Sequence, residues 1–332
     1  MVDELLRYAS VIAERVNPII DEVMRGEERK LYNASLHLLK AGGKRLRPLL
    51  TVLSARLFGL DEGLALYPAA SVELLHNFTL IHDDIMDRDE FRRGVPTVHK
   101  IYGEAMAILA GDLLFAKSYE AMLRLWGRVP DNLLVKALRE LTWAAVTVAE
   151  GQSLDMEFGS RDDVRMEEYL TMIFKKTAAL FKASAYIGSV IAGANDDDLV
   201  RICEFAKSVG IAFQIRDDEL GLIGDEKVLG KPVFSDLREG KKTLLIIYAL
   251  NNVSSSEREV ILKYLGKSNA SEDDLRRVAK IVVDSGALEF SNRVAEDYLK
   301  KGLTALDGVN AKDLEAKKLL MEFALFLTKR LY

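Results

Sequence analysis

The stretch "LIHDDIMDRDEFRRG" (80–94) gathers Asp83, Asp84, Asp87, Asp89 and Glu90 within eight residues and follows them with Arg92 and Arg93. Two unit charges about 4 Å apart repel by roughly 4 kcal/mol at an effective dielectric near 20, so the cluster needs cations to offset it. A continuous helix over "YPAASVELLHNFTLIHDDIMD", starting after Pro68, puts Asp83 and Asp87 at i,i+4 and Asp84 and Asp87 at i,i+3, on one shared face. That face lies at a helix C-terminus, where the helix dipole disfavours anions further. A hard divalent cation such as Mg²⁺ would relieve the repulsion, and Mg²⁺ typically sits on one or two carboxylates plus substrate phosphates. The plain alternative is a solvated acidic helix end paired with Arg88, Arg92 and Arg93.

A second cluster follows another apolar helical run. "FQIRDDELG" offers Asp217 and Asp218, with Asp225 and Glu226 beyond Gly224. Two such helix ends facing each other across a bundle would make a multi-metal site. Cations accompany the acids. Lys44, Arg45 and Arg47 come directly after two glycines in "AGGKRLRPLL", an arrangement suited to a phosphate group. Lys231 and Lys241 flank the second cluster, and Lys176 lies in "FKKTAALF". Each lysine alone reads as a solvated surface residue; together with glycine turns and acidic clusters they point to diphosphate chemistry.

The elements that must position these groups are helices. "DNLLVKALRELTWAAVTVAEGQSLDMEF" reads as one long helix after Pro130. "SEREVILKYLG" and "SEDDLRRVAKIVVDSG" each open with a Ser and an acid three residues on, the pattern of a capping box, and each ends at Gly. The last segment repeats Leu319, Phe323, Leu327 and Leu331 along one face, which could cover the core or a partner subunit. Strand signals are nearly absent. With roughly three quarters of the chain in helix against the usual third, the class should be all-α. Six prolines in 332 residues and no Gly/Ser/Pro-rich linker favour one domain over residues 1–332.

A net charge of −5 gives no general reason to expect nucleic-acid binding. The amphipathic, acid-bearing N-terminus, with Leu5, Ala9, Ile12, Ala13 and Val16 at helical spacing, is neither signal nor transit peptide. No apolar run reaches the roughly 18 residues of a membrane span. Cys203 stands alone, without a disulfide partner, so a cytoplasmic protein is expected.

In order, "GGKRLRP", "LLHNFTLIHDDIMDRDEFRRGVPTVH", "FKKTAAL", "FQIRDD" and "GDEKVLGKPVFSDLREGKKT" strongly resemble the trans-isoprenyl diphosphate synthases. The resemblance implies a single all-α bundle of the isoprenoid synthase type, usually a homodimer, with a deep apolar cavity between helices. It implies that Asp83 and Asp87, supported by Asp84, hold Mg²⁺ against an allylic diphosphate, with Asp217 holding another ion from the opposite wall. Two or three ions are implied, and Mn²⁺ would meet the same charge requirement. Arg92, Lys176, Lys231 and Lys241 would bind the allylic diphosphate, and Lys44, Arg47, His76 and Arg93 that of isopentenyl diphosphate. Thr177 and Gln214 would lie beside the reacting carbons. One position departs from the family pattern: the second motif ends in Gly221 where many members carry Asp.

In this family the residues before the first acidic cluster close the floor of the elongation cavity. Phe78 lies five positions before Asp83 and Thr79 four. A single aromatic at the fifth position resembles the short-chain C20 enzymes, so geranylgeranyl diphosphate is the expected main product. Ideal 100° steps turn Phe78 away from the Asp83 face, so its assignment as the floor comes from the family rule. Farnesyl or longer-chain synthesis is the alternative, and Gly221 alone would favour a regulatory subunit of a heteromeric synthase. The pair His82-Asp83, with His37 or His76, raises an HD-type metal phosphohydrolase as a remote rival. The basic pocket expected for a second diphosphate argues against a terpene cyclase.

Overall fold

The computed structural model describes residues 2–223, 234–267 and 269–328, the side chains of residues 2 and 3 excepted. The chain runs through α1 (Val2–Val23), α2 (Arg29–Lys40), α3 (Leu46–Leu57) and α4 (Glu62–Met86) to a small antiparallel hairpin, β1 (Phe91–Arg92) and β2 (Val95–Pro96). It continues as α5 (Val98–Tyr102), α6 (Glu104–Leu123), α7 (Asp131–Gly159) and α8 (Met166–Ile173). A single π turn, Phe174–Ala178, leads into α9 (Ala179–Ile191) and α10 (Asp196–Ile223). The remaining elements are α11 (Ser235–Glu239), α12 (Leu244–Asn252), α13 (Ser255–Tyr264), α14 (Glu272–Asp284), α15 (Ala287–Asp307) and α16 (Leu314–Thr328). The fold is all-α.

The helix that carries the first acidic cluster is longer than its sequence suggests. α4 starts at Glu62 rather than after Pro68, because the Asp61 side chain accepts the Gly63 N–H at 2.8 Å and caps the first turn. Pro68 sits inside the helix, where it lacks the N–H that would bond the Leu64 carbonyl. Here α4 packs along α6, and α3 packs along α9. Leu50, Leu53, Leu74, Phe181, Phe205 and Phe323, from α3, α4, α9, α10 and α16, belong to one fully buried core. A separate apolar cluster, with Leu245, Ile261, Leu275 and Val278, lies among α12, α13 and α14.

One further expectation is corrected. The capping box of α13 is Ser254 with Glu257, two residues earlier than the Ser256 start, because the Ser254 backbone N–H and hydroxyl both reach Glu257. The Ser271–Asp274 box of α14 stands as expected. On α16, where the stripe could cover the core or a partner, Leu319, Phe323 and Leu327 are buried in the chain's own core; Leu331 lies outside the described residues.

Candidate active site

A cavity of about 470 Å³ is walled by α4, α7, α8, the π turn and α10 and covered by α11 and the segment before α12. It brings together Arg47, His76, Phe78, Thr79, Asp83, Arg92, Lys176, Thr177, Gln214, Asp217 and Lys241. Asp84 and Asp87 reach this group through ion pairs, whereas Lys231, Asp225 and Glu226 lie outside the described residues.

Cations bridge the first acidic cluster to the rest of the cavity. Asp83 lies 3.3 Å from Lys176 and 3.7 Å from Arg92, Arg92 also grips Asp84, and Lys241 stands 3.5 Å from Asp87. Burial pushes the Asp83 carboxyl up, but Lys176, Arg92 and Lys241 outweigh it and hold the group below its usual range. Asp84, 1 % exposed, is pushed by burial up to about 6 in spite of Arg92. Asp87 is raised by burial and by the Asp83 charge. The π turn delivers Lys176 and Thr177 together, as such bulges do at functional sites. Gly151 of α7 makes this turn fit: a Cβ there would overlap the Lys176 backbone.

On the opposite wall a hydrogen-bonded chain fixes the side chains. Thr177 donates to Gln214 Oε1 at 2.7 Å, Gln214 donates to Asp218 at 2.7 Å, and the Tyr169 hydroxyl donates to the other Asp218 oxygen at 2.7 Å. Burial, reinforced by Asp236, pushes Asp218 up to about 8. Asp236 also explains how the chain lives with Gly221: a Cβ at 221 would come within 2.5 Å of Asp236 Oδ2. A carboxylate from α11 therefore fills the space beside the glycine. Lys241 is held between Glu239 at 2.7 Å, Asp87 and Asp236. Burial works against its ammonium, yet those acids keep it well above its ordinary range.

The glycine-rich turn before α3 is built from unusual backbone. Gly42 and Gly43 have φ of 101° and 135°, and Arg45 is left-handed at 46°. The Arg45 guanidinium is buried against Glu73 at 2.9 Å and donates to the Leu39 carbonyl at 2.7 Å. Arg93, also left-handed, donates to the Leu38 carbonyl at 2.8 Å and to that of Gly42. Arg47 lies over the Phe181 ring and 3.1 Å from His76 Nε2, where burial lowers it to about 10. Burial, then the charges of Arg47, Arg93, Arg92 and Arg45, hold His76 well below its ordinary value, so its ring is neutral and Nε2 accepts from Arg47. Lys44 sits 5.5 Å from the Phe326 ring, so α16 closes over this basic turn.

Deeper along α4, Phe78 meets His82 edge-on at 4.9 Å and Phe115 of α6 at 5.3 Å. His82 donates to the Ile108 carbonyl at 3.0 Å, and His37 contacts the Pro96 carbonyl at 2.8 Å.

Sequence reasoning missed the acids that face the lysines. Asp155 on α7 holds Lys176 at 2.6 Å and lines the cavity beside Gln152; Asp236 and Glu239 do the same work around Lys241. The signal was available in "GQSLD", where Gln152 and Asp155 share the helical face of Ala145, Val148 and Ala149.

The donor set fits a hard divalent metal ion. Asp84 Oδ2 is buried and accepts no hydrogen bond, and Asp83 Oδ1 meets the Lys176 ammonium at 3.3 Å, so both are hard oxygen donors of the kind a divalent cation takes. Among the described residues no three His, Cys, Asp or Glu side chains converge as a preformed metal cage, since Lys176, Arg92 and Lys241 occupy the space between the acids. That arrangement suits Mg²⁺, which completes its shell with substrate phosphates.

Comparison with known proteins finds relatives over nearly the whole chain. The family model described as polyprenyl synthetase matches residues 28–282. The chain is 47% identical over 321 residues to geranylgeranyl diphosphate synthase of Sulfolobus acidocaldarius, covering 96% of this chain and 97% of the relative. It is 50% identical over 295 residues to geranylfarnesyl diphosphate synthase of Aeropyrum pernix, covering 88% and 91%. The crystal structure of geranylgeranyl pyrophosphate synthetase from Pyrococcus horikoshii superposes with a TM-score of 0.92 at 40% identity, covering 98% of each chain. That of geranylgeranyl pyrophosphate synthase from Corynebacterium glutamicum, complexed with isoprenyl diphosphate and magnesium, superposes with a TM-score of 0.89 at 27% identity, covering 98% and 99%.

Proposed function

The chain belongs to the polyprenyl synthetase family as a trans-prenyltransferase, and on that premise we propose that it condenses isopentenyl diphosphate with dimethylallyl, geranyl and farnesyl diphosphates to give mainly geranylgeranyl diphosphate. The observation that carries this reading is the bridging of acids by Lys176, Arg92 and Lys241 directly above the apolar part of one cavity. An incoming diphosphate offers these cations better partners, and the released carboxylates Asp83, Asp87 and Asp217 would hold two or three Mg²⁺ ions, with Mn²⁺ able to replace them. Bound Mg²⁺ supplies positive charge that stabilises the departing diphosphate.

The side chains divide the remaining work. As the C1–O bond of the allylic substrate breaks, the electron pair leaves with the diphosphate, and Lys176, Arg92 and Lys241 stabilise it in a site shielded from water. The Thr177–Gln214–Asp218–Tyr169 chain holds the Thr177 and Gln214 side chains in place beside the nascent allylic cation. Isopentenyl diphosphate binds at Lys44, Arg47, His76 and Arg93. Its double-bond electrons form the new carbon–carbon bond, and the resulting tertiary cation gives up a proton to the departed diphosphate. At the second acidic motif Asp236 takes the part of the acid that Gly221 lacks.

Phe78, wedged between His82 and Phe115, closes the elongation channel beneath Thr79 and supports a C20 limit. Residues 1–332 act as one catalytic unit. No helix among the described residues is long and apolar enough to cross a membrane. A cytoplasmic location is part of the proposal. The homodimer is supported by α6 rather than α16: Ile108, Leu109, Phe115 and Leu123 are all exposed along it. Sizing the prenyl chains formed from labelled isopentenyl diphosphate with each allylic primer tests the reading. C20 product supports it; C25 or longer chains would discard the Phe78 floor while keeping the reaction.

A further inference from the structure

Among the side chains that line the cavity, Gln152 stands out because both amide atoms, Nε2 and Oε1, are buried and neither has a hydrogen-bond partner. A buried amide without partners destabilises the fold that contains it. Its neighbours on α7 define where it sits. Asp155, on the same face, holds Lys176 at 2.6 Å and so marks the diphosphate level. Three residues back along the helix, Gln152 lies about 4.5 Å deeper. Ala149, Val148 and Ala145 then line the apolar part. The amide thus lies at the boundary between the charged mouth and the hydrocarbon channel, in the cavity that Thr177 and Gln214 also line. Gly151 keeps α7 against the Lys176 backbone and fixes this depth.

We propose that Gln152 is a further catalytic residue of the condensation, with its amide directed at the carbon–oxygen bond that breaks. Nε2–H donates to the diphosphate oxygen that receives the electron pair, and Oε1 faces the positive charge that develops on the allylic carbon. A neutral amide suits this place. A carboxylate could capture the cation, and an aliphatic side chain would remove the donor that the amide adds to Lys176, Arg92 and Lys241. The inference rests on the prenyltransferase reading and deepens it.

The test compares wild type with Gln152→Leu, which keeps the bulk and removes both polar atoms. With Mg²⁺, farnesyl diphosphate and isopentenyl diphosphate, kcat falls about tenfold or more, the worth of one hydrogen bond to a charged group, while KM for isopentenyl diphosphate is unchanged. Mg²⁺-dependent hydrolysis of farnesyl diphosphate alone, which breaks the same bond, falls by a similar factor. The urea unfolding midpoint stays level or rises, because an unpartnered buried amide has gone. A kcat within about threefold of wild type overturns the proposal. So does a lowered unfolding midpoint, which would mean that the amide is paired within the fold. Failure of the wild-type protein to form any prenyl product would instead refute the prenyltransferase reading itself.

Discussion

The neutral His76 makes a quantitative prediction about stability. Its folded pKa lies well below the ordinary 6.5, first through burial and then through four arginines, whereas the unfolded chain returns the ring to that ordinary value. Below pH 6.5 the unfolded state therefore binds a proton that the folded state refuses, and stability falls as the pH falls. Above pH 6.5 neither state is protonated and the group contributes no pH dependence. One unit lower, at pH 5.5, the cost is about 1.4 kcal/mol, and it grows by about 1.4 kcal/mol per further unit until the folded pKa is reached. His76→Gln retains an acceptor for Arg47 and does not titrate. Urea unfolding of both proteins at pH 8 and pH 5.5 isolates the contribution, since the other groups cancel in the difference. Wild type should lose about 1.4 kcal/mol more than the variant between the two pH values. Equal losses, or a larger loss in the variant, would refute a His76 held neutral by the arginines around it.

Three further outcomes follow from the same geometry. Phe78→Ala removes the ring between His82 and Phe115 and should shift products beyond C20; an unchanged product distribution in a folded variant rejects Phe78 as the floor. Glu73→Ala strips the buried Arg45 of its counter-charge and should cost about 3–5 kcal/mol in denaturant unfolding. The control Glu272→Ala, whose pair with Arg276 is exposed, should cost far less, and similar losses would contradict the buried assignment. Asp236→Asn should lower condensation about tenfold or more, while Gly221→Asp, which drives a side chain against Asp236, should not raise it; steady-state rates of the two variants decide.

Much of the architecture was legible because its signals are local. The i,i+4 acids of α4, the 3.6-residue periodicity of α7 and the Ser271–Asp274 box depend on residues within a turn or two of one another. What escaped depends on distant partners. The α16 stripe reads equally well as core or interface until Phe323 is seen beside Phe181. The left-handed Arg45 cannot be inferred from "GGKRLRP", because its conformation is sustained by Glu73 on another helix. Asp155 and Asp236 escaped for a related reason: each looks like a surface acid until Lys176 or Lys241 is brought against it. Gly221, read from sequence as a loss, has Asp236 beside it in space.

On the proposed reading, the acids and cations at the cavity mouth form a metal-dependent site for breaking an allylic diphosphate ester and joining the fragment to isopentenyl diphosphate. The most direct measurement follows isopentenyl diphosphate consumption and inorganic phosphate release together, with farnesyl diphosphate present, while Mg²⁺ is added and then chelated. The structure predicts that consumption requires Mg²⁺, stops with the chelator and releases diphosphate without free phosphate. Phosphate released with no isopentenyl diphosphate consumed, or condensation that persists after chelation, would contradict it.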